Sequence, residues 1–200
     1  DWYRGGGMSG KNYTLTRYTH DGTAPVETVP VALEDDLKDK ARDWGYVYEQ
    51  IAMCPLWRFF WHSGRAGEGA GYHRRDVDDS DWKVAFATRS WKDMGATGWG
   101  EAWYRQSVRI PAGWQDRVVE LHIPKLNRGS RHEIFLNGKR VGALLGDYVF
   151  RTFEHGRSYR IPKETIQFGQ RNMMVVRMVG SSSTRLGRVQ LKANPYDLHL

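Results

Sequence analysis

Four aspartates that lie close together in the sequence are candidate metal ligands. They are Asp76, Asp78, Asp79 and Asp81. Alternating acidic oxygens can bind Ca²⁺, but the segment lacks the glycine and the distal glutamate of an EF-hand loop. Aspartates also accept hydrogen bonds from backbone N–H groups in turns. We therefore interpret the cluster as a structural turn, with a structural Ca²⁺ site at the same residues as the alternative.

No catalytic motif accompanies this cluster. His132-Glu133 lacks the second histidine of an H-E-x-x-H zinc site, and the sequence has no G-x-S-x-G. A pair of carboxylates could serve a glycosidase, but no spacing singles out two among Glu101, Asp116, Glu120 and Glu133. We predict no catalytic residue in this chain and no cofactor besides the alternative Ca²⁺.

The candidate ligand-binding residues are aromatic or basic and fall in predicted loops: Trp91, Trp99, Tyr72, His73, Arg74, Arg75, Tyr148 and Arg151. Nine tryptophans make the sequence Trp-rich, and a flat ring can cover the apolar face of a sugar. A guanidinium binds a carboxylate or sulfate through two parallel hydrogen bonds. The sequence thus predicts a site for acidic or sulfated sugars. In the alternative interpretation, Trp91 and Trp99 only plug one end of the fold.

Charge and composition narrow the classes of partner. A net charge of +7 favours an anionic partner, and a merely basic surface without such a partner is the alternative. The basic residues are scattered from Arg4 to Lys192, and no RNP, helix-turn-helix or zinc-finger pattern is present, so we expect no nucleic-acid partner. No apolar run approaches the length needed to cross a bilayer, so we expect no membrane partner. The single cysteine, Cys54, excludes an intrachain disulfide.

Extended segments must position these loops. Residues 102–110, 117–123 and 131–136 are strand-like runs bounded by Pro, Gly or Asn. The third run reaches Asn137-Gly138 and then turns back. This dipeptide favours a two-residue type I′ hairpin, because both residues tolerate positive φ. Alternation of apolar and polar residues in the second run indicates a strand with one buried face, and the pattern as a whole predicts an antiparallel sheet.

Further segments complete the predicted organisation. Residues 56–61 and 173–179 are also expected to be strands. Four aromatic residues are expected to be buried: Trp57, Trp82, Trp103 and Phe135. Apolar residues at helical spacing predict one helix over about 33–48, within an N-terminal extension that covers residues 1–52. The sandwich is predicted over 53–192, with a tail over 193–200.

Short motifs in this order resemble those of a known family. WYR at residues 103–105, IP at 110–111 and FLNGKRVG at 135–142 resemble the sugar-binding jelly roll of family 2 glycoside hydrolases. DDSDW at 78–82 and WKDMG at 91–95 are similar to segments upstream in the same domain. The resemblance implies an all-β fold, an antiparallel β-sandwich of the jelly-roll, galactose-binding-domain-like type.

The resemblance also implies a function. In that family catalysis belongs to a separate barrel domain, so this chain is expected to be a non-catalytic carbohydrate-binding or accessory module of a polysaccharide-degrading enzyme. The expected partners are an oligo- or polysaccharide and a neighbouring catalytic domain. One alternative is a purely structural domain beside a glycoside hydrolase catalytic domain, and another is a small jelly-roll lyase or hydrolase.

The first residue bears on the origin of the chain. Because it begins with Asp1 rather than Met, we interpret it as a processed chain or a piece of a larger protein. We expect a secreted protein with an extracellular or periplasmic location.

Overall fold

The computed structural model describes residues 13–18, 25–31, 49–64, 68–123, 131–144 and 156–194. The chain divides into two compact units, one formed by Asp1–Tyr48 with Pro195–Leu200 and the other by Glu49–Asn194. In the first unit, β1 (Tyr13–Tyr18) pairs antiparallel with β2 (Pro25–Val31). The sequence analysis predicted no element there. The predicted helix over 33–48 lies outside the described residues.

Within its described residues, the second unit contains ten strands. They are β3 (Glu49–Ala52), β4 (Leu56–His62), β5 (Lys83–Phe86), β6 (Gly100–Arg109), β7 (Val118–Ile123), β8 (Arg131–Leu136), β9 (Lys139–Leu144), β10 (Arg157–Arg160), β11 (Arg171–Gly180) and β12 (Gln190–Asn194). Four short 3₁₀ helices lie between them, at Glu68–Ala70, Lys92–Met94, Ala112–Trp114 and Lys163–Thr165.

The ten strands form two antiparallel sheets that make a sandwich. The four-stranded sheet has the order β10-β7-β12-β3, and the six-stranded sheet has the order β5-β4-β6-β11-β8-β9. The described part of the chain contains no α-helix. The predicted all-β class and the antiparallel sandwich are therefore confirmed. Within the described residues, no helix has the length and apolar character needed to cross a membrane.

The first and last strands of this unit are neighbours in the four-stranded sheet. β3 pairs antiparallel with β12, with Glu49 opposite Ala193 and Ala52 opposite Gln190. The unit spans Glu49–Asn194, and the sandwich bounds of 53 and 192 stay a prediction.

The hairpin between β8 and β9 forms where the sequence places it. Asn137 and Gly138 both have positive φ, 52° and 85°, as a type I′ turn requires. The Asn137 side chain donates to the Asn172 side chain and to the Thr165 carbonyl, both at 2.8 Å, and accepts from the Met173 N–H at 2.9 Å. One short polar side chain thus fixes the hairpin to the start of β11.

The main core lies between the two sheets. Alternate residues of β6, Ala102 and Tyr104, face it from the six-stranded sheet, and Leu121 and Leu191 face it from the four-stranded sheet. A second apolar cluster, here called the outer cluster, lies on the other face of the six-stranded sheet. Its buried members are Trp82, Trp103, Phe135 and Val175, with Phe60, Tyr72, Val77 and Met173 packed against them.

The outer cluster explains how the central strands of the six-stranded sheet are buried on both faces. Residues 71–82, here called the covering loop, contribute Tyr72, Val77 and Trp82 to it. The prediction that Trp57, Trp82, Trp103 and Phe135 are buried is confirmed. These residues do not share one core, because Trp57 belongs to the main core and the other three to the outer cluster.

We predict that truncating Trp103 destabilises the sandwich while truncating Trp99 does not. Trp103 is 0% exposed and Trp99 is 53% exposed. Trp103→Ala should lower the free energy of unfolding by about 3–5 kcal/mol, because it removes a ring from a packed cluster. Trp99→Ala should change it by about 0.5 kcal/mol or less. Urea denaturation of both variants measures the difference, and equal losses would contradict the placement of Trp103.

Candidate functional site

The covering loop is held to the sheet by one buried arginine. Strand alternation places Arg105 on the same face as Trp103, where its side chain is 1% exposed. Its Nε donates to Asp79 Oδ2 at 2.8 Å, and its Nη1 donates to the carbonyls of Tyr72 and Arg74 at 2.7 and 2.9 Å. The guanidinium therefore binds both ends of the loop at once.

The aspartates of the candidate metal site act within this loop. Asp79 pairs with Arg105, and Asp76 accepts two hydrogen bonds from Arg74. Asp78 accepts from the Ser80 backbone N–H at 3.0 Å, and this hydrogen bond lowers the pKa of the Asp78 carboxyl. The structure thus arranges these side chains as a turn. Among the described residues, no group of three or more His, Cys, Asp or Glu is placed to hold a metal ion.

Two residues of the predicted ligand site pack against aromatic members of the outer cluster. The ring of Tyr72 packs edge-on against Trp103 with centroids 5.6 Å apart. The ring of His73 stacks on Phe135 at 4.9 Å. Both side chains are half-buried, and these ring contacts occupy part of the surface that a sugar could cover.

The two arginines that follow them are engaged at the surface. Arg74 forms an exposed ion pair with Asp76 at 2.8 Å, and the first cause of the lowered pKa of Asp76 is this hydrogen bond from Arg74. Arg75 Nη1 donates to the side chain of Gln167 at 2.9 Å. The positive charge of Arg74 is thus compensated locally, which weakens it as an anion ligand.

Trp91 is a core residue. It is 0% exposed, and its indole Nε1 donates to the hydroxyl of Tyr104 at 2.9 Å. Burial of this hydroxyl raises the pKa of Tyr104. The placement of Trp91 in a ligand site is therefore corrected, and of the two interpretations the one in which Trp91 plugs the sandwich describes the structure. Tyr148 and Arg151 lie outside the described residues.

Trp99 is the candidate aromatic residue that remains available to a ligand. It is 53% exposed and lies between Gly98, which has a φ of 82°, and Gly100. Gly100 pairs with Gly180 at the end of the six-stranded sheet. A Cβ at Gly100 would lie 2.5 Å from the His62 carbonyl, so a side chain at this position would force the strands apart. This turn presents the Trp99 indole at one end of the sandwich.

Two of the candidate carboxylates on strands, Glu101 and Glu133, form a buried ion-pair network. Arg177 donates to Glu101 at 2.7 Å and also to Glu133, and Trp103 Nε1 donates to Glu101 at 2.6 Å. Arg140 pairs with Glu133 at 3.1 Å. Burial disfavours the charged guanidinium, but the hydrogen bonds that it donates to both carboxylates raise the pKa of Arg177. These glutamates hold a structural charge network and are not placed to act on a substrate in solvent.

A buried histidine lies at the edge of the main core. His132 is joined to the hydroxyl of Tyr159 by a hydrogen bond of 2.5 Å from its Nε2. Its Nδ1 is buried and has no hydrogen-bond partner among the described residues. Burial lowers the pKa of His132 to about 4, with a contribution from Arg157 and an opposing one from Glu133.

The sequence analysis missed this buried polar set. Glu101, Arg105 and Arg177 occupy strand positions whose neighbours predicted burial, yet charged residues are normally read as exposed. The sequence signal that could have found them is the two-residue period of a strand. It places Glu101 and Arg105 on the same face of β6 as the buried Trp103. Their ion-pair partners lie 26 to 76 residues away in the chain.

Comparisons with known proteins identify similar folds. The sequence matches no protein-family model and no curated protein. Among solved structures, it is similar to β-glucuronidase 2 of Bacteroides uniformis in covalent complex with cyclophellitol-6-carboxylate aziridine (TM-score 0.57, 21% identity). It is also similar to a Ruminococcus gnavus β-glucuronidase in complex with D-glucuronic acid (TM-score 0.59, 14% identity). A third match is a glycosyl hydrolase family 2 member from Bacteroides cellulosilyticus (TM-score 0.54, 20% identity).

The matched region is most of this chain but a small part of each similar protein. The matches include 72 to 74% of this chain, but the matched region is 18% of the B. uniformis protein, 20% of the B. cellulosilyticus protein and 30% of the R. gnavus protein. At these identities the comparison establishes a shared fold. The chain therefore shares its fold with one part of these longer enzymes.

We predict that removing Asp79 destabilises the protein more than removing Asp81. Asp79 compensates a buried guanidinium, and loss of a partner leaves that charge unpaired. Asp79→Ala should cost about 1–3 kcal/mol of unfolding free energy. Asp81, an exposed residue of the same turn, is the matched control and should cost about 0.5 kcal/mol or less when changed to Ala. Thermal denaturation measures both, and equal values would refute the anchoring role of Asp79.

We predict that His132 makes the protein less stable in mild acid. The pKa of about 4 in the folded state lies below the value of about 6.5 of a free histidine. As the pH falls from 6.5 to 4, the unfolded chain takes up a proton that the folded chain does not. The resulting loss of unfolding free energy is on the order of 3 kcal/mol.

His132→Gln tests this origin of the pH dependence. The variant should be less stable at neutral pH, but its stability should change less between pH 6.5 and 4.5. His62→Gln, which removes an exposed imidazole, should keep the wild-type pH dependence. Urea denaturation across this range measures both slopes, and an unchanged slope in His132→Gln would rule out His132 as the cause.

Proposed function

We propose that this chain is the jelly-roll, galactose-binding-like domain of a larger polysaccharide-degrading glycoside hydrolase. It serves there as a non-catalytic accessory module. The observation that carries the proposal is the structural match to 18–30% of family 2 enzymes, together with the same order of short motifs along the sequence. The neighbouring domain of the longer protein carries out hydrolysis, and the expected location is extracellular or periplasmic.

The described side chains support the non-catalytic part of this proposal. Glu101 and Glu133, the buried candidate carboxylates, are both bound to Arg177. A glycosidase needs one carboxyl group that can give a proton to the leaving oxygen and another that reaches the sugar. Glu101 and Glu133 are buried and both bound to one guanidinium. Neither is therefore placed to donate a proton to a leaving oxygen or to reach a sugar.

Contact with carbohydrate is the finer part of the proposal. Trp99 presents an exposed ring at the end of the sandwich, in a turn whose backbone is fixed by strand pairing. A rigid aromatic ring loses little conformational entropy when it stacks on a sugar, so it is suited to weak binding of long polymers. Loops on a rigid sandwich are also where binding residues are commonly placed.

A purely structural domain is the second candidate function. It is favoured by the burial of Trp91 and by the packing of Tyr72 and His73 against the outer cluster. In that case the module supports the adjacent catalytic domain and binds no sugar itself.

Affinity electrophoresis of the complete 200-residue chain in gels with neutral polysaccharides separates these functions. We predict that the wild-type protein is retarded by at least one neutral polysaccharide and that Trp99→Ala loses about tenfold in affinity, equivalent to about 1.4 kcal/mol. Arg75→Ala, at the other predicted loop, is the matched surface control and should bind as the wild type does.

The outcomes distinguish the two candidates. Absence of binding to every glycan would leave the structural function. Release of sugar from a polysaccharide by this chain alone would overturn the non-catalytic proposal.

A further inference from the structure

We propose that two neighbouring loops, residues 86–95 and 181–188, form a binding surface for the carboxylate or sulfate groups of an acidic polysaccharide. We call them the basic loop pair. The inference rests on the proposed function, since it names the class of polysaccharide that the module contacts. It assigns the anion contacts to residues that the sequence analysis did not select.

Backbone hydrogen bonds place the two loops side by side. The Trp91 N–H donates to the Thr184 carbonyl at 2.9 Å, and the Lys92 N–H donates to the Ser182 carbonyl at 2.8 Å. At the other end, the Gly187 N–H donates to the Ala87 carbonyl at 2.8 Å. Segments that are nearly a hundred residues apart in the sequence therefore form one continuous surface.

This surface carries four exposed cations, namely Arg89, Lys92, Arg185 and Arg188. The loops contain one carboxylate, Asp93, so their net charge is +3. Within the described residues, none of the four cations is in an ion pair. Asp93 accepts a hydrogen bond from the hydroxyl of Ser90 at 2.7 Å, and this bond together with the nearby charges of Arg89 and Lys92 lowers its pKa. Unlike Arg74, which is ion-paired with Asp76, the four cations outnumber this carboxylate and can bind an anion.

The loops are anchored by residues that point inward between the cations. Trp91 and Leu186 are fully buried, and Thr184 is nearly so. Lys92 and Arg185 each follow one of these anchors directly and are exposed. Because the backbone is held by the core on one side, the cationic side chains project from a fixed base. Binding of an anion then costs less conformational entropy than it would on a mobile loop.

Exposed aromatic rings border the same surface. Trp99 directly precedes Gly100. Gly100 pairs with Gly180, and the second loop begins at the residue after Gly180. Phe86 is also exposed, with the guanidinium of Arg89 5.5 Å from its ring centroid. Rings beside unpaired cations match a polymer that alternates apolar sugar faces with anionic groups. Guanidinium groups suit these anions because they bind carboxylate and sulfate through two parallel hydrogen bonds.

The test compares charge reversal on the basic loop pair with charge reversal elsewhere. Affinity of the complete chain is measured for polygalacturonate, dextran sulfate, neutral dextran and duplex DNA. The test variants are Arg89→Glu/Lys92→Glu and Arg185→Glu/Arg188→Glu. The control is Lys163→Glu/Arg171→Glu, which reverses two exposed cations outside both loops. Thermal denaturation first verifies that each variant is folded.

We expect each loop variant to lose about tenfold or more in affinity for an acidic polysaccharide, and the control to lose markedly less. Wild-type binding should weaken between about 50 and 500 mM salt, since exposed charges are screened over about 10 Å at 0.1 M. Binding to neutral dextran or another neutral glycan should be unchanged in the loop variants.

Three results would overturn the inference. One is an equal loss in the control, which would indicate general surface charge. Another is equally tight binding of duplex DNA, which would indicate a surface for any polyanion. The third is binding to neutral glycans with no added affinity for acidic ones, which would overturn the inference while the proposed function stands. Absence of all glycan binding would instead remove the carbohydrate contact on which both depend.

Discussion

The structure depends on the burial of one charged side chain. The guanidinium of Arg105 lies inside the protein, and a buried charge is tolerated only when it is paired and hydrogen-bonded. Asp79 and two carbonyls of the covering loop meet this requirement. The loop must therefore lie across the six-stranded sheet, where it covers Trp103 and Phe135. The same contact turns several residues that resembled ligand-binding groups into parts of the fold.

Local signals in the sequence were enough to predict an antiparallel sheet, whereas the sandwich was implied by the family resemblance. Alternation of apolar residues and the chemistry of Asn137-Gly138 depend on neighbouring residues only, so they predicted strands and the hairpin between β8 and β9. Burial of Trp103 followed from the same alternation. The sequence pattern did not show the hairpin of β1 and β2, which is polar and irregular.

The candidate site was less predictable because its contacts are distant in the sequence. No residue near Trp91 in the sequence indicates that its indole N–H donates to the Tyr104 hydroxyl. Likewise, no residue near Tyr72 indicates that Arg105 donates to the Tyr72 carbonyl. The pairing of residues 86–95 with 181–188 is equally non-local. A list of loop residues chosen by type therefore selected some groups that face inward. Trp99 is exposed because it lies between two glycines in a turn, where its ring belongs to no face of a strand.

The pairing of β3 with β12 has a mechanical consequence. Because the strands are antiparallel and Glu49 lies opposite Ala193, the polypeptide enters and leaves this unit at the same point of one sheet. Tension applied through the flanking chain would load the hydrogen bonds between β3 and β12 one after another, as in opening a zipper, rather than all together in shear. The sandwich would resist such a pull weakly at first, and β3 would separate before the strands that enclose the main core.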